Sequence, residues 1–417
     1  MMAISKRTIV WVLCSVFVLW GLPLMAQDEE PVAQGFRLDA PSYAVRGPFA
    51  VGTMEFTVED GERIIPGTAW YPALNPDGLE EAVDYDAGMG DMLPPELNLF
   101  PGHALQDADP DLDNGPYPLV IYSPANGASR LWTAFFQEHV ASYGFVVLAI
   151  DHPGTGMLDT IIVDDSEYWT VNSPDSHVLR PQDIVRMLDY AETMTAEGGA
   201  LAGVIDMESV AVTGWSSGGY TALMSAGARL NLNSFGTWCA HLTEYDILCN
   251  ALSRIDNLVA LAGLDAAPEG LWPSFADDRV DAIIADAPGG VPMLRDGGLE
   301  GVEVPVLFIG GSADTAVKPL SDYLHYAYEH VGSAQKALAV FENADHFIFA
   351  GGSPTWYEIM YPLLSDSVWD YDRAHDLIDY FSTAFLLAEL KGDAEAAAAL
   401  APDAVQFPGI VYEAVGF

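Results

Sequence analysis

Six short apolar runs constrain the fold of this chain more than any other feature of its sequence. They are rich in Val, Ile, Leu and Ala and lie at 119–122, 144–150, 210–213, 282–285, 304–309 and 337–341. A continuous apolar run is typical of a strand that is buried on both faces of a sheet. Segments with a helical pattern lie between most of the runs, at 132–143, 181–195 and 218–228. Because strands alternate with helices, the sequence predicts an α/β fold with a mostly parallel central sheet and helices on both faces.

Four regions outside this alternation complete the predicted architecture. Residues 54–58 and 63–71 flank an Asp-Gly pair, which predicts a hairpin. Residues 73–117 are rich in Pro, Gly and Asp, and they predict a long surface excursion. Residues 231–278 interrupt the alternation, and we expect them to form an inserted cap segment over the site. The tail from Leu377 is helical and then Ala-rich and acidic.

Residues 1–26 have the pattern of an export signal. Lys6 and Arg7 form the positively charged start, and an apolar run follows at 9–19. The segment ends in the small-residue pattern of a cleavage site. The alternative is an uncleaved anchor, but the run is short for a membrane span of about 20 residues. The sequence therefore predicts a signal peptide followed by one domain over 27–417. We expect that domain to be secreted or periplasmic, without stable membrane insertion once the signal is removed.

Acidic side chains dominate the charge of the chain. The chain has 60 Asp and Glu residues and 16 Lys and Arg residues, which gives a formal net charge of −44. Nucleic acids and anionic membrane surfaces would repel such a protein at long range, so neither is expected as a partner. A solvated acidic shell, as in proteins from salty surroundings, explains the balance without any binding partner.

The number and positions of the cysteines are consistent with export. Cys14 leaves with the signal, which leaves Cys239 and Cys249 in the cap segment. An even pair in an oxidising compartment predicts a disulfide, and two buried thiols are the alternative.

Residues 214–219 carry the strongest chemical signal. The sequence Gly-Trp-Ser-Ser-Gly-Gly follows the third apolar run and opens a helix. In this strand–turn–helix context, the G-x-S-x-G pattern places a nucleophilic serine at a tight turn, here Ser216. The next amide, that of Ser217, lies at the helix N-terminus and can receive a developing oxyanion. The alternative is an ordinary serine in a Gly-rich turn.

A serine nucleophile needs a base, and the base needs an orienting carboxylate. In this arrangement the partners follow the serine in the order acid and then His. Asp314 follows the fifth apolar run and is the predicted acid, with Asp286, after the fourth run, as the alternative. His346 follows the sixth run and is the predicted base. Three other downstream histidines lie in helix-like stretches: His325, His330 and His375.

The loop after the first apolar run, residues 123–127, is the predicted oxyanion loop. Its best-placed second donor is the amide of Asn126. His152 follows the second run but precedes the nucleophile, so we expect it to shape the substrate pocket. Trp215, directly before Ser216, is also predicted to border that pocket.

No metal or other cofactor is expected. Four aspartates alternate like a calcium loop, but the glycine is misplaced and no Glu closes the loop; they are Asp107, Asp109, Asp111 and Asp113. Zinc-ligand spacing of His and Cys is also missing from the sequence.

These motifs resemble those of bacterial dienelactone-hydrolase-like proteins related to platelet-activating-factor acetylhydrolases. The resemblance covers most of 45–395 and is poorest in the cap segment. The matching residues are 47–52, 70–73, 117–120, Ser123, Gly127, Arg130, 144–147 and His152.

The resemblance implies an α/β-hydrolase fold and a catalytic set that agrees with the residues predicted above. Ser216 would be the nucleophile, Asp314 the acid and His346 the base, with oxyanion amides from Asn126 and Ser217. Two positions depart from the family pattern: Pro124-Ala125 replaces a His-Gly pair, and Trp215 replaces a His. Dienelactone hydrolases proper use cysteine as the nucleophile, and this chain has serine.

The sequence thus predicts an exported serine esterase that forms an acyl-enzyme with small or lipid-like esters, and the resemblance implies short acyl groups. Phe235, Trp238 and Trp272 are expected to line the cleft as an aromatic wall. Polyester or peptide hydrolysis on the same fold is the alternative among enzymes. A catalytically silent binding domain is the alternative of another class.

Overall fold

The computed structural model describes the chain in five stretches: 35–86, 99–156, 174–244, 246–351 and 368–417. All of them belong to one compact unit that spans 34–417. The predicted signal peptide at 1–26 lies outside the described residues. In the described stretches, no helix is both long and apolar enough to cross a bilayer.

Strands and helices alternate along the described chain. The strands are β1 (Ala50–Asp60), β2 (Arg63–Ala73), β3 (Val83–Asp86), β4 (Leu99–Gly102), β5 (Leu105–Gln106), β6 (Tyr117–Ser123), β7 (Val146–Ile150), β8 (Ile205–Trp215), β9 (Ala282–Asp286), β10 (Val306–Gly311), β11 (Lys336–Phe341) and β12 (Ile410–Val415). The α-helices are α1 (Ala134–Ser142), α2 (Ser176–Thr195), α3 (Ser217–Ser225), α4 (Leu232–His241), α5 (Ile255–Leu261), α6 (Leu324–His330), α7 (Tyr371–Lys391) and α8 (Ala394–Ala399).

Ten of the described strands form one sheet in the order β12-β11-β10-β9-β8-β6-β7-β2-β1-β5. The six strands from β11 to β7 are parallel and correspond to the six predicted apolar runs. β6, β7, β9 and β10 are buried along their whole length, which explains their continuous apolar sequence. Helices α1 and α7 pack together and on the sheet, and α2 and α3 form a second such pair. The predicted α/β architecture is confirmed.

The edges of the sheet are antiparallel. β1 and β2 form the predicted hairpin, with Asp60 opposite Arg63 at its turn. At the other edge β12 pairs with β11 in a register that the sequence did not reveal. Its residues are alternately half-buried and exposed, so it lacks the apolar run that identified the central strands.

The segment 73–117 is more than a surface excursion. Its described part contributes β3 and β4, which pair antiparallel, and it buries Tyr85 and Phe100. Trp70 of β2 donates its indole N–H to the Tyr85 hydroxyl at 2.7 Å, and that hydroxyl donates to Glu138 of α1 at 2.6 Å. Buried hydrogen bonds therefore attach this segment to the core. Its Pro and Gly content did not predict these contacts.

The cap segment, 231–278, contains α4, a 3₁₀ helix at Ile247–Arg254 and α5. A disulfide joins Cys239 to Cys249, as predicted. The expected aromatic wall is wrong for Phe235 and Trp272, because both side chains are fully buried in the core. Trp238 is half-buried and stacks on Phe235 with ring centroids 5.9 Å apart.

Candidate active site

The parallel topology brings the predicted catalytic residues to one edge of the sheet. β8, β9, β10 and β11 are consecutive neighbours, and the carboxyl ends of parallel strands meet at the same edge. Ser216 follows β8, Asp286 ends β9, Asp314 follows β10 and His346 follows β11. Strand order alone therefore gathers residues that are up to 130 positions apart in the chain.

Ser216 adopts a strained backbone at the turn between β8 and α3. Its φ is 59° and its ψ is −114°, in a region that side chains other than glycine rarely occupy. Two backbone hydrogen bonds hold the turn: the Ser216 amide donates to the Asp286 carbonyl at 2.8 Å, and the Gly289 amide donates to the Ser216 carbonyl at 2.8 Å. The half-buried Ser216 side chain is thereby presented at the sheet edge.

His346 and Asp314 form a buried pair. Nδ1 of His346 lies 2.7 Å from Oδ2 of Asp314, and the two residues are 4% and 6% exposed. The other carboxylate oxygen, Oδ1, accepts the amides of Ala316 and Val317, each at 2.8 Å. The two backbone amides hold the carboxylate in one orientation, and this orientation sets the plane of the His346 imidazole.

Asp345 links the loops that carry Asp314 and His346, a role that the sequence did not reveal. Its Oδ1 accepts the amide of His346 at 2.6 Å and the amide and hydroxyl of Thr315, each at 2.9 Å. A second link runs from the Ala313 amide to the Ala344 carbonyl at 2.9 Å. The available signal was an Asp directly before a helical turn, a position where aspartate often accepts backbone amides.

Trp215 directly precedes Ser216 in the chain and packs against His346. Its indole is 1% exposed, and its centroid lies 5.3 Å from that of His346. It also contacts the rings of Phe347 and Phe349. Within the described residues, Ser216 Oγ and His346 Nε2 form no hydrogen bond, and in unliganded enzymes this contact often tightens only when substrate binds.

The predicted oxyanion loop lies against the turn at Ser216. Ser123 at the end of β6 pairs with Gly214 at the end of β8, so residues 124–127 leave the sheet beside Ser216. Asn126 and Ser217 are both half-buried. Among the described residues, neither of their amides donates a hydrogen bond to the protein. Two uncommitted amides beside a strained serine match the requirement of an oxyanion hole.

Asp286, the alternative acid, has a different environment from Asp314. Its side chain is buried, and burial raises the pKa of its carboxyl well above the usual range. In the described part of the chain, its Oδ1 has no hydrogen-bond partner. The imidazole of His346 pairs with Asp314 instead, and Asp286 contributes its backbone carbonyl to the Ser216 turn.

His152 contacts Ser123, at the start of the predicted oxyanion loop. It is 2% exposed, its Nε2 lies 2.9 Å from Ser123 Oγ, and its Nδ1 lies 2.8 Å from Asp183 Oδ2. Burial lowers the pKa of its imidazole to about 4, and the nearby positive charge of Arg180 acts in the same direction. The structure thus places His152 beneath the loop rather than on an open pocket wall.

Comparison with known proteins identifies the family. The model described as "Alpha/beta hydrolase family" matches residues 115–358, which include every predicted catalytic residue. The chain belongs to the alpha/beta hydrolase family. A second model, "Platelet-activating factor acetylhydrolase, isoform II", matches residues 43–182 of this hydrolase and so covers the oxyanion loop and His152.

Two curated relatives are cutinases of Thermobifida alba. Cutinase est1 is 25% identical over 236 residues, which are 56% of this hydrolase and 55% of that protein. Cutinase est2 is 30% identical over 122 residues, which are 29% of this hydrolase and 34% of that protein. The hydrolase therefore spans about half or less of the length of these relatives.

A solved structure with the same fold is the ferulic acid esterase from Streptomyces cinnamoneus. It superposes with a TM-score of 0.59 at 20% identity, and the match covers 88% of this hydrolase and 97% of that chain. At this identity the likeness shows the shared fold.

Two other places in the hydrolase were candidates for ligands. A cavity of about 630 Å³ lies away from the predicted catalytic residues, and its lining includes Phe36, Trp132, Phe135, Glu138 and Asp379. Where the structure describes the chain, no group of three His, Cys, Asp or Glu side chains is placed to hold a metal ion. In the calcium-like loop, the carboxylate of Asp111 accepts protein donors from Asp113 and Asn114 and forms an ordinary turn.

Proposed function

We propose that this hydrolase is an exported serine esterase, with Ser216 as nucleophile, His346 as general base and Asp314 as the carboxylate that orients the base. The observation that carries the proposal is the buried Asp314–His346 pair at 2.7 Å, at the same sheet edge as the strained Ser216. The names of the cutinase relatives support ester hydrolysis as the reaction class.

In the proposed reaction, the Ser216 hydroxyl attacks the ester carbonyl carbon while Nε2 of His346 takes its proton. The Asp314 carboxylate, opposite Nδ1, stabilises the imidazolium that forms. His346 then returns the proton to the alcohol leaving group, and the acyl group remains on Ser216. Water attacks this acyl-enzyme by the same route in reverse and releases the acid.

The amides of Asn126 and Ser217 would hold the negative charge of the tetrahedral intermediates. An oxyanion donor of this kind contributes roughly 10²–10³-fold to kcat. Because the Ser217 amide opens α3, the helix dipole adds to the same effect.

For the substrate, we propose neutral esters with short acyl groups and a variable alcohol part. Arg130 and Arg180, which lie in segments predicted to border the site, have guanidinium groups committed to protein acceptors, so neither is free to bind an anionic substrate. The match to the acetylhydrolase model over 43–182 supports a short acyl group. We expect higher kcat/KM for p-nitrophenyl acetate and butyrate than for palmitate; a steady rise with acyl length would indicate a lipase.

A second candidate is polyester hydrolysis, which the relationship to two cutinases favours. Release of soluble acids from a polycaprolactone film, measured beside p-nitrophenyl butyrate turnover, separates the two. Film degradation would add this activity, whereas an intact film with rapid butyrate turnover would restrict the enzyme to small esters.

Export is proposed from residues 1–26 and is supported by the Cys239–Cys249 disulfide, which is typical of an oxidising compartment. Mass spectrometry of the protein from the medium or periplasm should give an N-terminus near residue 27. An intact N-terminus in a membrane fraction would contradict cleavage.

The deciding test of the proposed function is labelling with a fluorophosphonate probe. Wild type should be labelled at Ser216, and Ser216→Ala should lose labelling and on the order of 10⁶ in kcat. Ser253→Ala, at an exposed serine of the cap segment, is the matched control and should behave as wild type. A folded wild-type protein that is neither labelled nor active would support the silent binding domain.

A further inference from the structure

Arg180 of α2 is buried directly behind the oxyanion loop. It is 1% exposed, and its guanidinium donates to the carbonyls of Pro124 at 2.6 Å and Ala125 at 3.3 Å. A third bond goes to the Thr155 hydroxyl at 2.9 Å. Arginine is rarely buried to this extent without a specific set of partners, and here two of the three are carbonyls of one loop.

The geometry of the peptide bond connects these contacts to the reacting centre. In a trans peptide the C=O and the next N–H point in opposite directions. The carbonyl of Ala125 faces Arg180 and also accepts the Ala128 amide at 3.3 Å, so the amide of Asn126 faces the opposite side. That amide is the predicted oxyanion donor.

We propose that Arg180 is a positioning residue for the oxyanion hole: it holds the Ala125–Asn126 peptide in the orientation that presents the Asn126 amide to the substrate. This inference rests on the proposed function, because it assigns a support to the oxyanion hole of that reaction. It adds to that function the residue that keeps the Asn126 amide in its donor orientation before substrate binds.

The residues around Arg180 fit this role. Asp183, one turn further along α2 and fully buried, supplies the compensating negative charge and contacts His152, which in turn contacts Ser123. Arg63 pairs with Asp183 from β2. Two residues of one helix thus hold the oxyanion loop, Arg180 through its carbonyls and Asp183 through His152.

Helix α2 is itself tied to the nucleophile helix. Pro181 has no amide proton, so the His177 carbonyl four residues earlier lacks its helical partner. The hydroxyl of Tyr220, from α3, donates to that carbonyl at 3.0 Å. The support of the oxyanion loop is therefore fixed relative to the helix that begins at Ser217.

The planar fork of the Arg180 guanidinium fits this position, where its two terminal nitrogens contact the loop. The fork of arginine reaches both carbonyls at once, whereas the ammonium of lysine is a single point. The positive charge also polarises the Ala125–Asn126 peptide, which strengthens its N–H as a donor. Burial lowers the pKa of Arg180 to about 10, so the group is still charged at neutral pH.

The test compares Arg180→Met with Arg180→Lys and with Arg279→Met as control. Arg279 forms ion pairs with Asp189 and Glu192 on α2 but has no contact with the oxyanion loop. Each variant is titrated with the fluorophosphonate probe, so kcat refers to reactive sites. Affinity for an aryl trifluoromethyl ketone, which forms a tetrahedral adduct, is measured beside KM.

We expect Arg180→Met to lose about 10²-fold in kcat, comparable with loss of an oxyanion donor, with KM within a few fold. Affinity for the ketone should fall in the same proportion. The kcat and ketone affinity of Arg180→Lys should lie between those of Arg180→Met and wild type. Arg279→Met should keep wild-type kcat and ketone affinity. If Arg180→Met does not fold, Arg180→Lys provides the test. We expect that variant to lose about tenfold in kcat and a similar factor in affinity for the ketone.

A folded Arg180 variant with wild-type kcat and ketone affinity would overturn the inference while leaving the proposed function intact. A rise in KM with a matching fall in kcat/KM at unchanged kcat would do the same, because it indicates a binding effect. Absence of labelling and turnover in the wild type would overturn the proposed function itself.

Discussion

A Cβ atom on Gly218 would lie 1.8 Å from the carbonyl oxygen of Ser123. The first turn of α3 therefore touches the end of β6, where the oxyanion loop begins. This close approach sets the separation between the two segments that supply the predicted oxyanion amides, and it leaves no room for any side chain.

Gly218→Ala should therefore displace the oxyanion loop from the nucleophile turn. We expect a loss of at least 10²-fold in kcat/KM, since misplaced oxyanion donors cost this much, together with a lower melting temperature. Gly236→Ala on α4 is the control, because its nearest neighbour would be 3.8 Å from the new Cβ. That change should be neutral or stabilise by up to about 1 kcal/mol in thermal unfolding. Normal activity in Gly218→Ala would contradict the close approach.

Asp314→Asn and Asp286→Asn are a matched pair that tests the assignment of the acid. Asp314→Asn should lower kcat roughly 10⁴-fold, because an amide at this position favours the wrong tautomer of His346. Burial raises the pKa of the Asp286 carboxyl, and His346 pairs with Asp314 instead, so an amide of the same shape at position 286 should cost less than about tenfold in kcat. Steady-state kinetics on both variants gives the answer, and a larger loss in Asp286→Asn would reverse the assignment.

The disulfide should stabilise the cap segment. Cys239 and Cys249 are 10 residues apart, and closing a loop of this size is worth roughly 2–3 kcal/mol in the chain-entropy model. Cys239→Ser with Cys249→Ser should lower the free energy of unfolding by about that amount in a urea titration. Reductant should lower the wild type to the level of the double variant and leave the variant unchanged. Identical curves with and without reductant would mean that no disulfide is present.

Acid should destabilise the fold through buried imidazoles, and His375 offers a test. It stacks on Phe135 with ring centroids 3.9 Å apart, and burial lowers its pKa to about 4. Between about pH 6.5 and 4 the unfolded chain binds a proton here that the native state does not, so stability falls as pH falls. In His375→Phe the loss of unfolding free energy between pH 7 and 5 should be smaller by on the order of 1–2 kcal/mol.

The matched control for that experiment is His241→Phe, at an exposed position of α4. It should retain the pH dependence of the wild type in urea titrations at both pH values. If His375→Phe has the same pH dependence as His241→Phe, the buried imidazole does not contribute.

The apolar runs predicted the central strands, and the G-x-S-x-G motif predicted the location of the candidate site. Both features depend on local sequence. A strand buried on two faces is continuous in apolar residues, as at 119–122, and the tight turn at Ser216 requires the small residues around it. Asp314 and His346 followed from strand ends, since parallel topology carries them to a common edge.

The remaining features depend on contacts between distant segments. Arg180 and Asp183 lie on one face of α2, but nothing in the sequence shows that this face meets the oxyanion loop. Phe235 and Trp272 were expected in the cleft, and long-range packing places them in the core instead. β12 is a half-buried edge strand, and its pairing with β11 is decided by the fold around it.

The cap segment and the chain that follows Asp314 share polar contacts. The indole of Trp238 donates to Asp322 at 3.1 Å, and the hydroxyl of Tyr323 donates to Asp246 at 3.1 Å. A graft that exchanged residues 231–278 for the corresponding segment of a relative would remove the Trp238 partner of Asp322 and the Asp246 partner of Tyr323. The cap is thus not a modular unit. Divergence of substrate range through this segment would require compensating changes in the chain after Asp314, which would couple the evolution of specificity to that of the predicted catalytic residues.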